Sequence, residues 1–193
     1  MPKTVETHPL KPFFPKGARL LMLGSFPPKR EKWAFEFYYP NFQNDMWRIF
    51  GVAFFGDKDC FLNPDKKSFS KPRIEKFLKE KGIALSDTAE SVIRHKDNAS
   101  DKFLEIVKPL DLKVALKKLP QCEAVCVTGQ KAAEMLAELA DAEIPKVGSR
   151  TQFEFIGRKI LFYRMPSSSR AYPLSLAKKA EAYKHMFEEL NMV

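Results

Sequence analysis

Four short apolar runs recur along the chain, each closed by glycine, proline or polar residues: 19–24 (RLLMLG), 82–85 (GIAL), 124–128 (AVCVT) and 159–163 (KILFY). Runs this short and this uniformly apolar predict interior strands covered on both faces. Between them the spacing changes to a helical period. A helix is expected over 72–81, with Pro72 near its start and Gly82 just past its end. Another is expected over 111–119, closed by Pro120, and another over 130–140, rich in strong helix formers. Near the end, 174–190 places Leu176, Ala180, Tyr183, Phe187 and Leu190 on one face. The residues Asp87, Thr88, Ala89 and Glu90 have the spacing of a capping box and predict one more helix start. Gly157 predicts a tight turn between two strands.

Strands alternating with helices imply a three-layer α/β/α domain around a central, mainly parallel four-stranded sheet. At 193 residues one domain spanning 1–193 is expected. Four prolines within 1–17 make that stretch an extended lead-in, and 57–71, with few periodic apolar positions, reads as a solvated loop. In parallel sheets ligands bind beyond the C-terminal strand ends. Two segments fall there, 24–28 (GSFPP) and 165–170 (MPSSSR).

Composition adds a preference of partner. The chain is 45% hydrophobic, which suits a sizeable core, and carries a net charge of +9, which favours polyanions such as nucleic acid or an anionic membrane face. No run approaches the ~20 apolar residues of a membrane span. The N-terminus lacks the apolar core of a signal peptide. Three cysteines without paired spacing and three scattered histidines suggest reduced thiols, no disulfide framework, no metal and no iron–sulfur cluster. A cytoplasmic protein without a cofactor is expected.

Candidate chemistry concentrates in two places. In 166–173 (PSSSRAYP) serine hydroxyls and backbone N–H groups can grip phosphate, with Arg164 and Arg170 flanking them. Taken alone, this reads more readily as an ordinary serine-rich turn. The segment 37–48 (FYYPNFQNDMWR) interleaves aromatics, amides and a basic residue. Aromatic faces stack on nucleobases, and amides both donate and accept. A helix starting near Asn44 or Asp45 accounts for Trp47 and Phe50 as core. It leaves Tyr38, Tyr39 and Asn44 without a role.

These residues carry a resemblance. Residues 23–27 (LGSFP), Tyr38 with Tyr39, and 44–47 (NDMW) resemble the first motif region of the uracil-DNA glycosylase superfamily, closest to its hypoxanthine-DNA glycosylase and mismatch-specific uracil glycosylase branch. Residues 82–87 resemble that family's second strand, 127–132 its third strand and following helix, and 165–169 its second motif, the loop that enters the minor groove. The likeness runs in order over 19–190.

The resemblance implies an enzyme that flips a deaminated base, uracil or hypoxanthine, from DNA and hydrolyses its N-glycosidic bond. It implies that Asn44 orients the attacking water and that Tyr39 stacks on the flipped base. Gly24, Ser25, Phe26 and Pro27 would shape the base pocket, and Gly129 would permit close approach. Ser167, Ser168 and Ser169 would hold phosphates, with Arg170 beside the gap left by the base. The implied partner is DNA containing a damaged base, met by a monomer without metal. Pro28 stands where the family usually has glycine, and Arg170 where this branch has proline. Those departures keep a non-catalytic nucleic-acid-binding protein of the same fold open as an alternative. A third reading is an unrelated α/β enzyme using the serine turn for a free nucleotide or phosphorylated metabolite.

Overall fold

The computed structural model describes residues 4–95 and 101–193. The four apolar runs become β2 (Leu20–Gly24), β3 (Ile83–Asp87), β6 (Ala124–Thr128) and β8 (Arg158–Met165), all parallel to their neighbours in this set. A further strand, β7 (Ser149–Phe155), turns back at Gly157 and pairs antiparallel with β8. The sheet order is β3-β2-β6-β8-β7, so five strands stand where four were expected. The fifth is an edge strand of mostly exposed, polar residues, and its pairing comes from the hairpin.

Strand alternation supplies two core faces. Leu20, Met22, Ile83, Leu85 and Cys126 point to one side, under α1 (Met46–Phe55), α2 (Lys71–Lys81) and α5 (Leu176–Glu189). Leu21, Leu23, Ala84, Val125 and Val127 point to the other, under α3 (Leu112–Lys118) and α4 (Gln130–Ala140). The high phenylalanine content is spent largely on the first side. Phe54 meets Phe187 at 4.6 Å and Phe77 at 4.8 Å between ring centroids. Such pairs add about 0.5–1.5 kcal/mol each beyond area burial.

Three expectations are corrected. No helix begins at Asp87: that residue ends β3, and Ala89 opens β4 (Ala89–Arg94). The β-branched pair Val92 and Ile93 favours extension, and β4 is held between β1 (Val5–Thr7) and β5 (Leu104–Pro109) in a separate antiparallel sheet. Pairing on both sides overrides the local capping pattern. The 1–17 lead-in is not merely irregular, because it supplies β1 and pairs Phe13 with Leu85 along the open edge of β3. That contact covers an otherwise exposed sheet edge. The 57–71 loop buries Phe61, Leu62 and Phe69 against the first core face, and so is solvated only in part.

Candidate active site

The parallel register sets four strand ends side by side. Gly24 pairs with Asp87 and Thr128 pairs with Met165. The chain leaving these ends encloses a cleft of about 370 Å³. Its fourth wall is the 38–44 segment that leads into α1. Ten of the positions singled out from the sequence line this cleft: Gly24, Ser25, Phe26, Pro27, Tyr39, Asn44, Ser167, Ser168, Ser169 and Arg170; Gly129 and Arg164 do not, and Arg164 instead holds the Pro145 carbonyl and Gln130.

Gly24 is required here by close approach. A Cβ at this position would lie 2.5 Å from Asp87 Oδ1 and 3.9 Å from the Tyr39 hydroxyl. The loop that follows is braced from behind by the second sheet. Phe26 packs with Ala89, Val92 and Leu104, while Arg94 donates to the Pro27 carbonyl at 3.2 Å. Arg94 is itself held by both carboxylate oxygens of Glu6 at 3.1 Å. The Trp33 indole N–H donates to the Pro28 carbonyl at 2.7 Å. Pro28 is thus a fixed rim residue. A methyl group at Gly129 would meet no atom of the described residues beyond its chain neighbours within 4 Å, so it is the φ of 105° there, rather than crowding, that disfavours other residues.

Asn44 and the serine turn meet through the main chain. Asn44 bridges to Ser169, and the Asp45 N–H donates to the Ser168 carbonyl at 2.9 Å. Asn44 Oδ1 accepts from the Met46 N–H at 2.9 Å in an Asx turn just ahead of α1, whose N-cap is Asp45, so the Asn44 side chain is held in one orientation. One lone pair of Oδ1 and the amide N–H₂ remain for a ligand or water. Ser167 Oγ accepts from the Ser169 N–H and Ser169 Oγ from the Ala171 N–H, both at 3.2 Å, which curls the turn. Ser168 is only 3% exposed, leaving Ser167 and Ser169 as the accessible hydroxyls.

Charges lock this junction. Arg170 Nε donates to Asp45 Oδ1 at 2.9 Å and its Nη1 to Gln43 Oε1 at 2.5 Å. The guanidinium therefore bridges the two motif segments at the rim of the cleft. Arg48 lies over the Phe42 ring at 4.5 Å and donates to the Phe42 carbonyl at 2.9 Å. Burial, and then the nearby Arg170 charge, push its pKa below the usual guanidinium value.

Tyr39 adopts the left-handed backbone region with φ 53°. In a non-glycine residue this costs roughly 1–3 kcal/mol and is characteristic of functional sites. The twist separates two neighbouring rings. Tyr38 is buried, with its hydroxyl donating to the Lys11 carbonyl at 3.1 Å, whereas Tyr39 lies edge-on to Trp47 with its hydroxyl 3.4 Å from Thr128 Oγ1. Burial holds the Tyr39 phenol well above its ordinary range, so it remains a neutral donor.

Sequence reasoning missed Asp87 and Thr128, which line the cleft from the ends of β3 and β6, and His8, whose Nε2 lies 2.7 Å from Asp87 Oδ2. Asp87 was legible in principle, since strand ends collect at the ligand edge, but the capping-box spacing concealed it. His8 left no signal. Among the described residues no group of three or more His, Cys, Asp or Glu is arranged to hold a metal, and no helix is long and apolar enough to cross a membrane.

No family model matches the chain, and no curated protein does so either. A solved structure is similar over nearly its whole length. It is the solution NMR structure of a protein from Methanosarcina acetivorans proposed to be a uracil DNA glycosylase, 21% identical, covering 97% of this chain and 99% of that one with a TM-score of 0.62. The fold is a uracil-DNA glycosylase-like mixed α/β fold, with a mainly parallel central sheet flanked by helices.

Proposed function

We propose that this chain is a monofunctional DNA glycosylase that extrudes a deaminated base, uracil or hypoxanthine, and hydrolyses its N-glycosidic bond. The observation that carries this reading is the direct junction of Asn44 with Ser169 at the mouth of a base-sized cleft. One side of that junction can hold a water and the other can hold a phosphate.

Glycosidic cleavage passes through an oxocarbenium-like sugar and a base that leaves with negative charge. Such a cation captures water readily, so a neutral amide suffices where a strong base would otherwise be needed. Asn44, fixed by its bond from the Met46 N–H, orients that water. Tyr39 stacks on the extruded base. The loop at Gly24, Ser25, Phe26 and Pro27 encloses it, with backbone groups aimed at its edge and water excluded. Ser167 and Ser169 hold the flanking backbone, the buried Ser168 shapes the turn between them, and Arg170 stands beside the vacated stack. Unstacking a base costs a few kcal/mol, which the phosphate contacts of a chain with net charge +9 offset.

The test is release of free base from duplex oligonucleotides containing single uracil, hypoxanthine, xanthine or other damaged bases, with Asn44→Ala alongside. Release that depends on Asn44 is the expected result. Salt-sensitive DNA binding without release from any substrate would instead establish a binding protein of the same fold.

A further inference from the structure

Two side chains outside the cleft hold groups that border it. Pro27 is buried, Pro28 is half-buried, and both line the cleft. Neither has an N–H, so this rim brings only carbonyl acceptors to the site. Each of those carbonyls is engaged from elsewhere. Arg94 Nη2 donates to the Pro27 carbonyl at 3.2 Å, and the Trp33 indole N–H donates to the Pro28 carbonyl at 2.7 Å. Neither Arg94 nor Trp33 lines the cleft, so both carbonyls turn away from it. At the other end of the same loop the Gly24 carbonyl is drawn off by the Thr88 N–H at 2.8 Å.

Both side-chain donors are themselves held. Arg94 is buried in β4, and Glu6 of β1 takes its Nε and Nη2 with one carboxylate oxygen each, at 3.1 Å. The pairing of β1 with β4 therefore sets this fork. Trp33 carries the Arg30 guanidinium over its ring at 4.4 Å, and Arg30 is bonded in turn to Glu36. A proline pair is also a stiff unit, because the second ring confines the first residue to extended backbone. Two donors behind such a unit set the pose of the whole rim.

We infer that Arg94 and Trp33 are positioning residues that hold the Pro27 and Pro28 carbonyls out of the cleft. The inference rests on the proposed glycosylase function and adds to it a reason why Pro28 is compatible with catalysis. A base that leaves as an anion is opposed by any carbonyl oxygen aimed at it, most strongly where water is excluded. The bound base is neutral until its bond breaks, so the same oxygen hardly affects binding. Withdrawing the two acceptors thus acts on the chemical step and leaves DNA affinity nearly untouched.

The experiment measures single-turnover base release and duplex affinity on DNA containing a single uracil or hypoxanthine. It compares wild type, Trp33→Phe, Arg94→Lys and the paired change Glu6→Gln/Arg94→Met. Trp33→Phe keeps a ring beneath Arg30 and removes only the donor. The paired change removes the fork without leaving an unpaired carboxylate. Release should slow about 10-fold or more in Trp33→Phe and in the paired variant, with the duplex Kd within about twofold of wild type. Arg94→Lys keeps a donor on a long stem and should retain most of the rate that the paired variant loses. Wild-type release rates in Trp33→Phe and the paired variant would overturn the inference. So would rate losses matched by equal losses of affinity, or a loss in the paired variant that Arg94→Lys shares in full, because these mark packing rather than posing. If the paired variant does not fold, Trp33→Phe decides alone. If the wild type releases no base from either duplex, the glycosylase reading falls first and takes this inference with it.

Discussion

The ammonium of Lys179, 1% exposed on α5, donates to the Ser169 carbonyl at 2.7 Å. It also lies 3.4 Å from Asp45 Oδ2, while Arg170 takes the other oxygen of that carboxylate. One buried lysine thus ties the serine turn to the start of α1, where Asn44 sits. The geometry between Asn44 and the serine turn, the proposed water and phosphate sites, depends on a charge carried by a third element, α5.

Lys179→Met is therefore expected to destabilise the fold by about 3 kcal/mol or more, because it leaves a buried carboxylate partly uncompensated. Base release by the folded fraction should fall as well. Chemical denaturation and single-turnover release, measured on the same preparation, check the two effects separately.

Asn44 is expected to show separable structural and chemical roles. Asn44→Ala removes the Asx-turn bond to the first N–H of α1, a loss of about 0.5–1.5 kcal/mol, and should lower base release about 100-fold or more. Asn44→Asp keeps an oxygen for the Met46 N–H and should restore stability to within a few tenths of a kcal/mol. Thermal melts of the two variants give the structural half of this prediction, and release rates the other.

Gly24→Ala should cost about 1–3 kcal/mol and base release, since the new methyl meets Asp87 Oδ1 at 2.5 Å. The clash is with a side chain rather than backbone. Combining Gly24→Ala with Asp87→Ser should therefore cost less than the sum of the single changes, a non-additivity readable from denaturation midpoints.

The rim beyond Pro28 carries Lys29, Arg30 and Lys32, with Arg30 stacked over Trp33 at 4.4 Å. Replacing all three with Gln should reduce the slope of log affinity against log salt for DNA by about 2 to 3. Titrations of an undamaged duplex at several salt concentrations test it. An unchanged slope would remove this rim from the DNA path.

Glu189 accepts from the Tyr163 hydroxyl at 2.7 Å, and that bond, ahead of the neighbouring Arg150, holds its carboxyl below the usual 4.5. A carboxyl with a depressed folded-state value contributes stability above its unfolded value and loses it as pH falls through the folded one. Wild type should lose this contribution progressively as the pH drops below about 4.5. Tyr163→Phe should be less stable at neutral pH and show a shallower decline over that acid range. Denaturation midpoints between neutral pH and the acid limb provide the measurement.

Local pattern determined the parallel strands, the bounds of α4, the phase of α5 and the two segments at the strand ends. Each rests on side-chain periodicity and turn chemistry contained within a dozen residues. The same locality misled at Asp87 to Glu90, where a capping pattern was outweighed by pairing with β1 and β5, both remote in sequence. It also left Phe61, Leu62 and Phe69 in a loop read as solvated, since their burial depends on partners from α1 and α2. Only the folded chain could bring Asn44 to Ser169, Lys179 to Asp45 and His8 to Asp87. These contacts join residues 79 to 134 positions apart in the charged and polar pairs, and no periodicity encodes them. A sequence specifies which residues can do chemistry, but the register of a sheet decides which of them share a cleft.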